Sequence, residues 1–305
     1  MAAEKTRAIV LRATPFGDTS SVVTLLTRDC GKLRALAKGA WRPKSSFDGA
    51  LDLLSNCQVL VLRKSSGGLD LVTEAFLEHR FRVGRSRAAF LGGMHLAELL
   101  DGLTAEGDPL PELFDVATST LRILSAPVPT HETPHDPSES GSGHPASAGG
   151  QGGADQGSAV PAPHVREGHV RLLIARAELA ILRIVGHAPS LDHCAECQGP
   201  VAGGRRFSFG MLDGGLLCGR CRGGKRSVVA ISADCLTALR TLAGAADGWR
   251  RLSLAPSVDG EVHAVMTTLL SHLLGRRLRV ASLLQPRRRP AGGPARPDTP
   301  GSGPT

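Results

Sequence analysis

Tyrosine is missing from this 305-residue chain, and aromatic residues of all kinds make up only 3% of it. Its cores must therefore be aliphatic, and any surface that stacks on planar ligands has few rings to do so. No run approaches the roughly eighteen consecutive apolar residues of a membrane span. The first twenty residues carry Glu4, Lys5, Arg7, Arg12 and Asp18 and lack the apolar stretch of a signal peptide, so a cytoplasmic protein with reduced thiols is expected. Catalytic signatures are missing too. There is no G-x-x-x-x-G-K-[ST], H-E-x-x-H or G-x-S-x-G. Asp18, Asp29, Asp48, Asp52 and Asp70 are spread singly rather than clustered as a metal-dependent nuclease requires. The expectation is a binding protein, not an enzyme.

The cysteines, only seven, are concentrated. HCAECQGPVAGGRRFSFGMLDGGLLCGRC (193–221) places Cys194/Cys197 and Cys218/Cys221 in two Cys-x-x-Cys pairs separated by twenty residues. Each such turn aims two sulfurs at one point, and two turns complete a tetrahedron that suits Zn²⁺ and leaves no open position for substrate. The zinc is therefore structural. Gly203/Gly204 and Gly214/Gly215 predict the turns of two small hairpins supporting it. His193 is read as a bystander, and Cys30, Cys57 and Cys235 as small buried residues.

The pattern along the chain changes once. RAIVLR (7–12), SSVVTLLTR (20–28), KLRALAKG (32–39), CQVLVLR (57–63) and LDLVTEAFLEHRF (69–81) predict five short strands, enough for a small barrel of the OB type. Helical spacing follows over 87–103, where Phe90, Leu91, Met94, Ala97 and Leu100 form an expected core stripe, and then over 110–124, 165–186, 231–244 and 258–276. Ser232 is the expected N-cap of the fourth helix. Residues 125–164 are Pro, Gly, Ser and Ala without period and are read as a disordered insertion; 286–305 are read as a disordered tail. The fold class is α+β. An OB-fold β-barrel (1–82) precedes an α-helical domain (83–124 and 165–285) that carries a four-cysteine zinc knuckle at 193–222.

The net charge of +8 fits either solubility or a polyanionic partner. Residues 1–82 hold thirteen Lys and Arg against eight Asp and Glu. AKGAWRPKSSF (37–47) sets Lys38, Arg42 and Lys44 around Trp41 and Phe47, just after Arg34. Two readings stay open for it. One is a solvated loop with Trp41 tucked into the core. The other is a grip on single-stranded nucleic acid, with cations on phosphates and Phe16, Trp41 or Phe47 stacked on bases.

The order of these features resembles the RecO family of bacterial DNA repair proteins. AIVLRATPFGDTSSVVTLLTRDCGKLRALAKGAWRPKS is similar to that family's N-terminal domain, the knuckle with its Phe-Ser and Gly-Gly-Leu-Leu-Cys elements to its zinc segment, and HLLGRRLRVASLLQ to its closing motif. The resemblance implies binding to single- and double-stranded DNA and annealing of complementary strands. It also implies action with RecR, and in many bacteria RecF, to help RecA load onto DNA covered by single-strand binding protein (SSB), at the nucleoid. It makes Arg34, Lys38, Arg42 and Lys44 DNA contacts, and Cys194, Cys197, Cys218 and Cys221 the metal ligands. Trp41 stands where the family commonly has another basic residue, so stacking replaces one phosphate contact. Competing expectations are a protein-interaction adaptor and a zinc-ribbon factor of transcription or translation.

Overall fold

AIVL (8–11) is apolar without alternation because its strand is buried on both sides. In β1 (Ala2–Phe16), Ala8 and Val10 face one core while Ile9 and Leu11 face another. Described in this computed structural model are residues 2–125 and 167–285, apart from positions 44, 48, 65–67 and 85. Lys44, residues 126–164 of the expected insertion, residues 165–166 of the third expected helix and the tail 286–305 lie outside the described residues.

The second half of β1 pairs antiparallel with β2 (Ser20–Thr27), and its first half with β4 (Asn56–Arg63). β3 (Gly31–Ala37) pairs antiparallel with β2 and parallel with β5 (Asp70–His79), and β5 returns to β4. The closed order β1-β2-β3-β5-β4 is the five-stranded OB arrangement. Its interior is almost wholly aliphatic: Val10, Val23, Leu25, Leu33, Val59, Val61 and Val72, interspersed with small alanines such as Ala8, Ala35 and Ala37. Phe47 is its single ring, only 4% exposed, and is thereby removed from the stacking candidates.

Five α-helices follow among the described residues: α1 (Arg87–Leu103), α2 (Pro111–Leu124), α3 (Glu167–Ile184), α4 (Ala233–Ala243) and α5 (Pro256–Leu274). Ser232 caps α4 as its position predicts, accepting a hydrogen bond from Cys235 N at 3.1 Å. Helix α3 joins two cores. Its Ile181 packs with Ile9, Leu96, Leu113 and Phe114 beneath the barrel, while Leu173 and Leu182 pack with α4 and α5. Gly93 allows α1 to approach, because a side chain there would collide with the Phe81 ring. The predicted α1 stripe needs one correction. Phe90 is 49% exposed, and the buried face is formed instead by Ala89, Gly92, Gly93, His95, Leu96, Ala97, Leu99 and Leu100. Among the described residues no helix is long and apolar enough to cross a membrane.

Candidate metal centre and nucleic-acid interface

Between α3 and α4 lies a three-stranded sheet, β7 (Gly215–Leu217), β6 (Arg206–Gly210) and β8 (Val228–Ser232), in the order β7-β6-β8. One of the two expected hairpins is present, turning at Gly214, whose φ is 70°. Gly203 and Gly204 instead lie in the irregular lead into β6, whose other neighbour is β8. The 190–195 segment runs along β7: Leu216 N donates to Ser190 O (2.9 Å) and Ala195 N to Leu216 O (2.7 Å). That approach needs glycine, since a Cβ on Gly215 would stand 2.5 Å from Ser190 O. It brings the first Cys-x-x-Cys turn against the second.

All four sulfurs then lie within 4.8 Å of one another. Cys197 Sγ and Cys218 Sγ are 3.8 Å apart, and a tetrahedron with zinc–sulfur bonds of about 2.3 Å has edges of about 3.8 Å. Cys194 is held near pKa 6, mainly by the Cys197 backbone N–H, and Cys218 is lowered mainly by that of Cys221. Cys221 is pushed up to about 12, chiefly by its hydrogen bond with Cys218. Sulfurs this close repel as thiolates and share a proton; a divalent cation relieves the same repulsion. The donor set therefore fits a four-coordinate soft metal. His193 is exposed and outside this cluster. Of the other cysteines, Cys57 and Cys235 are buried as expected. Cys30 is half-buried, its thiol donating to Glu4 Oε2 at 2.9 Å.

The basic loop folds against the β1–β2 turn. Trp41 N donates to Thr19 O (2.9 Å), Gly39 N to Ser20 Oγ (3.4 Å) and Arg42 N to Gly39 O (3.1 Å), with Gly39 at φ 71°. The loop leaves Trp41 59% exposed, while Phe16, just before that turn, is 57% exposed. Lys38 and Arg42 are exposed in the same loop, and Arg34 is exposed on β3 opposite Thr24. Lys44 lies outside the described residues. The tertiary structure adds a residue that sequence reading missed. Lys64 borders, with Arg34 and Arg63, a groove of about 470 Å³ beside the β4–β5 connection. The adjacent pair Arg63-Lys64 at a strand end was the available signal.

Charge pairing separates these cations from their neighbours. Arg7 and Arg28 pair with Asp115, Arg12 and Lys32 with Asp101, Arg63 with Glu4 and Asp70, and Arg80 with Asp52. Arg34, Lys38 and Arg42 have no carboxylate partner among the described residues.

Comparison with known proteins agrees with this architecture. Residues 1–81 match the family model "Recombination protein O N terminal", and residues 164–281 match "Recombination protein O C terminal". A DNA repair protein RecO from Rhodopirellula baltica is 35% identical over 77% of this chain and 73% of its own length. Those from Anaeromyxobacter dehalogenans (32% identical) and Myxococcus xanthus (28% identical) align over 90% and 89% of this chain, and over 92% and 93% of their own lengths.

Proposed function

From the premise that the chain belongs to the RecO family of DNA repair proteins, we propose that it is a recombination mediator. It binds DNA, anneals complementary strands and assists RecA loading onto SSB-coated single strands, acting with RecR and, in many bacteria, RecF. Nothing is hydrolysed or transferred, so the protein is not an enzyme; its place is the cytoplasm, at the nucleoid. The observation that carries this reading is the loop where Lys38 and Arg42 stand without carboxylate partners among the described residues, beside an exposed Trp41.

The mechanism follows from electrostatics. Two complementary strands repel through their phosphates. Unpaired cations that neutralise part of one strand lower that repulsion and raise the local concentration of its complement. Trp41 and Phe16 offer flat faces to unstacked bases, which favours a single strand at this site. Arg34 and Lys64 extend the cationic surface across β3 toward the groove. Zinc, when bound by Cys194, Cys197, Cys218 and Cys221, supplies a cross-brace and no reaction step. The local apolar cluster of Leu217, Val201 and Val228 around the sulfurs is too small to hold the knuckle alone.

The test is annealing of complementary oligonucleotides coated with SSB, comparing the protein with its Lys38→Ala/Arg42→Ala/Lys44→Ala variant. Annealing by the parent and its loss in the variant is expected. With three to five phosphates neutralised, the log–log salt slope on single strands should be about −2 to −3.5. Equal annealing by both proteins would move the strand site elsewhere. No binding to bare strands at low salt would overturn the reading in favour of a protein-interaction adaptor.

A further inference from the structure

The zinc knuckle carries a charge surplus that the barrel loop leaves unexplained. Between His193 and Arg226 stand six Lys and Arg against two carboxylates, Glu196 and Asp213. One cation uses both carboxylates: Lys225 Nζ lies 2.6 Å from Glu196 and 2.8 Å from Asp213. Arg206 is turned back onto Ala230 O (2.6 Å) and toward Glu261 (3.7 Å). Arg220, Arg222 and Arg226 are exposed, and none has a side-chain hydrogen bond or ion pair among the described residues. A tetrathiolate zinc would add about two negative charges, and the six cations still outnumber these and the two carboxylates together. The knuckle's outer surface thus remains cationic.

These three arginines sit on a fixed backbone. Arg220 lies inside the second Cys-x-x-Cys turn, where Cys221 N and Arg222 N both donate to Cys218 O at 3.2 and 3.1 Å. Lys225 N closes the next turn on Arg222 O (3.4 Å), with Gly224 at φ 73°. Gly219, Gly223 and Gly224 face open space, so a phosphate chain can come close to the main chain between the guanidinium groups. Arginine suits this task because its planar fork bonds two phosphate oxygens at once.

Rings are missing here. The nearest aromatics in sequence are Phe207, half-buried, and Phe209, fully buried in the helical core. A surface of cations without stacking faces holds a backbone whose bases are already paired, whereas the barrel loop with Trp41 and Phe16 suits unpaired bases. We propose that the Cys218–Arg226 loop is a second nucleic-acid site, one that holds duplex DNA through its phosphates. This rests on the mediator reading and deepens it. The barrel loop holds a single strand; the knuckle loop holds the duplex that borders it or that annealing produces.

The experiment measures binding of a blunt duplex and of a single-stranded oligonucleotide as a function of salt. It uses the full chain and its Arg220→Gln/Arg222→Gln/Arg226→Gln and Arg→Lys counterparts, with zinc content and melting recorded for each. The Gln variant should bind single strands as the parent does, while its duplex salt slope becomes shallower by about 2.7, at about 0.9 for each phosphate no longer neutralised. The Lys variant should keep most of the parent's slope, because charge is retained. If the Gln variant loses zinc, the three single substitutions replace it, each expected to remove about 0.9. An unchanged duplex slope with intact single-strand binding would overturn the knuckle site alone, and would leave an acidic protein segment as its partner. A parent protein that binds neither DNA would overturn the mediator reading as well.

Discussion

Lys38 and Arg42 differ from Arg28 in what stands beside them. Arg28 donates through Nε and Nη2 to both oxygens of Asp115, at 3.2 and 3.1 Å, and that hydrogen bond raises its pKa. A cation so committed has little left for a phosphate. Trp41 presents the same contrast against Trp249, which is 4% exposed and flanked by Arg176 and Arg250 at 5.6 and 5.1 Å from its ring. With only two tryptophans in the chain, fluorescence reads one exposed and one buried ring. Single-stranded DNA should quench the Trp41 signal and leave Trp249 unaffected. Trp41→Ala should weaken single-strand binding by about 1–3 kcal/mol, or roughly 5- to 150-fold in Kd. Unaltered affinity together with an unquenched signal would remove stacking from the mechanism.

At the scale of the element, the knuckle is the part least able to fold by itself. Strands β6 and β7 are five and three residues long, and most of their buried side chains belong to the helical core. Phe209, Met211 and Leu216 pack there with α3, α4 and α5. Cys194→Ala removes one sulfur of four and leaves three crowded thiols. The expected outcome is loss of stoichiometric zinc, with lower melting temperature or solubility and no failure of a discrete chemical step. Metal analysis beside calorimetry checks it: zinc lost with melting unchanged would mean that the cluster is not a brace.

Across the whole molecule, the segment after α5 is pinned back onto α1. Glu98 accepts from the backbone N–H of Arg279 (3.0 Å) and Val280 (3.3 Å) and from Arg276 Nη1 (2.6 Å), with its side chain 11% exposed. Burial alone would raise its pKa, yet the Arg279 N–H and the other donors hold it below the ordinary value. Hydrogen bonds to a charged group contribute about 1.5–3 kcal/mol when well made. Because the folded pKa is depressed, this contribution is complete above the unfolded value of about 4.3 and is lost as pH falls through the folded one. Glu98→Gln should therefore lower the melting temperature at neutral pH. The difference from the parent should shrink below about pH 4. A gap that stayed constant with pH would point to packing rather than charge.

The sequence by itself determined the periods and the chemistry. Leu-rich and β-branched runs set off by turns marked the five strands, a 3.6-residue spacing marked the helices, and Ser232 announced the start of α4. Two Cys-x-x-Cys pairs were legible as a four-thiol cluster that fits a metal, because each local turn already brings two of the sulfurs together. The basic loop was legible as a composition. What tertiary structure decided is where each side chain ends up once distant segments meet. Phe47 and Trp41 lie six positions apart in one loop, yet the first fills the barrel and the second faces solvent. Phe90 satisfied the helical period and still turned outward, since α1 buries a glycine-lined face against Val170, Ile174 and Phe81. Which arginines are spent on carboxylates was likewise invisible in sequence: Arg28 and Asp115 are 87 residues apart, and Arg12 and Asp101 are 89. Local spacing encodes the elements because their backbone geometry repeats. Exposure and charge pairing depend on which elements meet, and only the folded chain sets that.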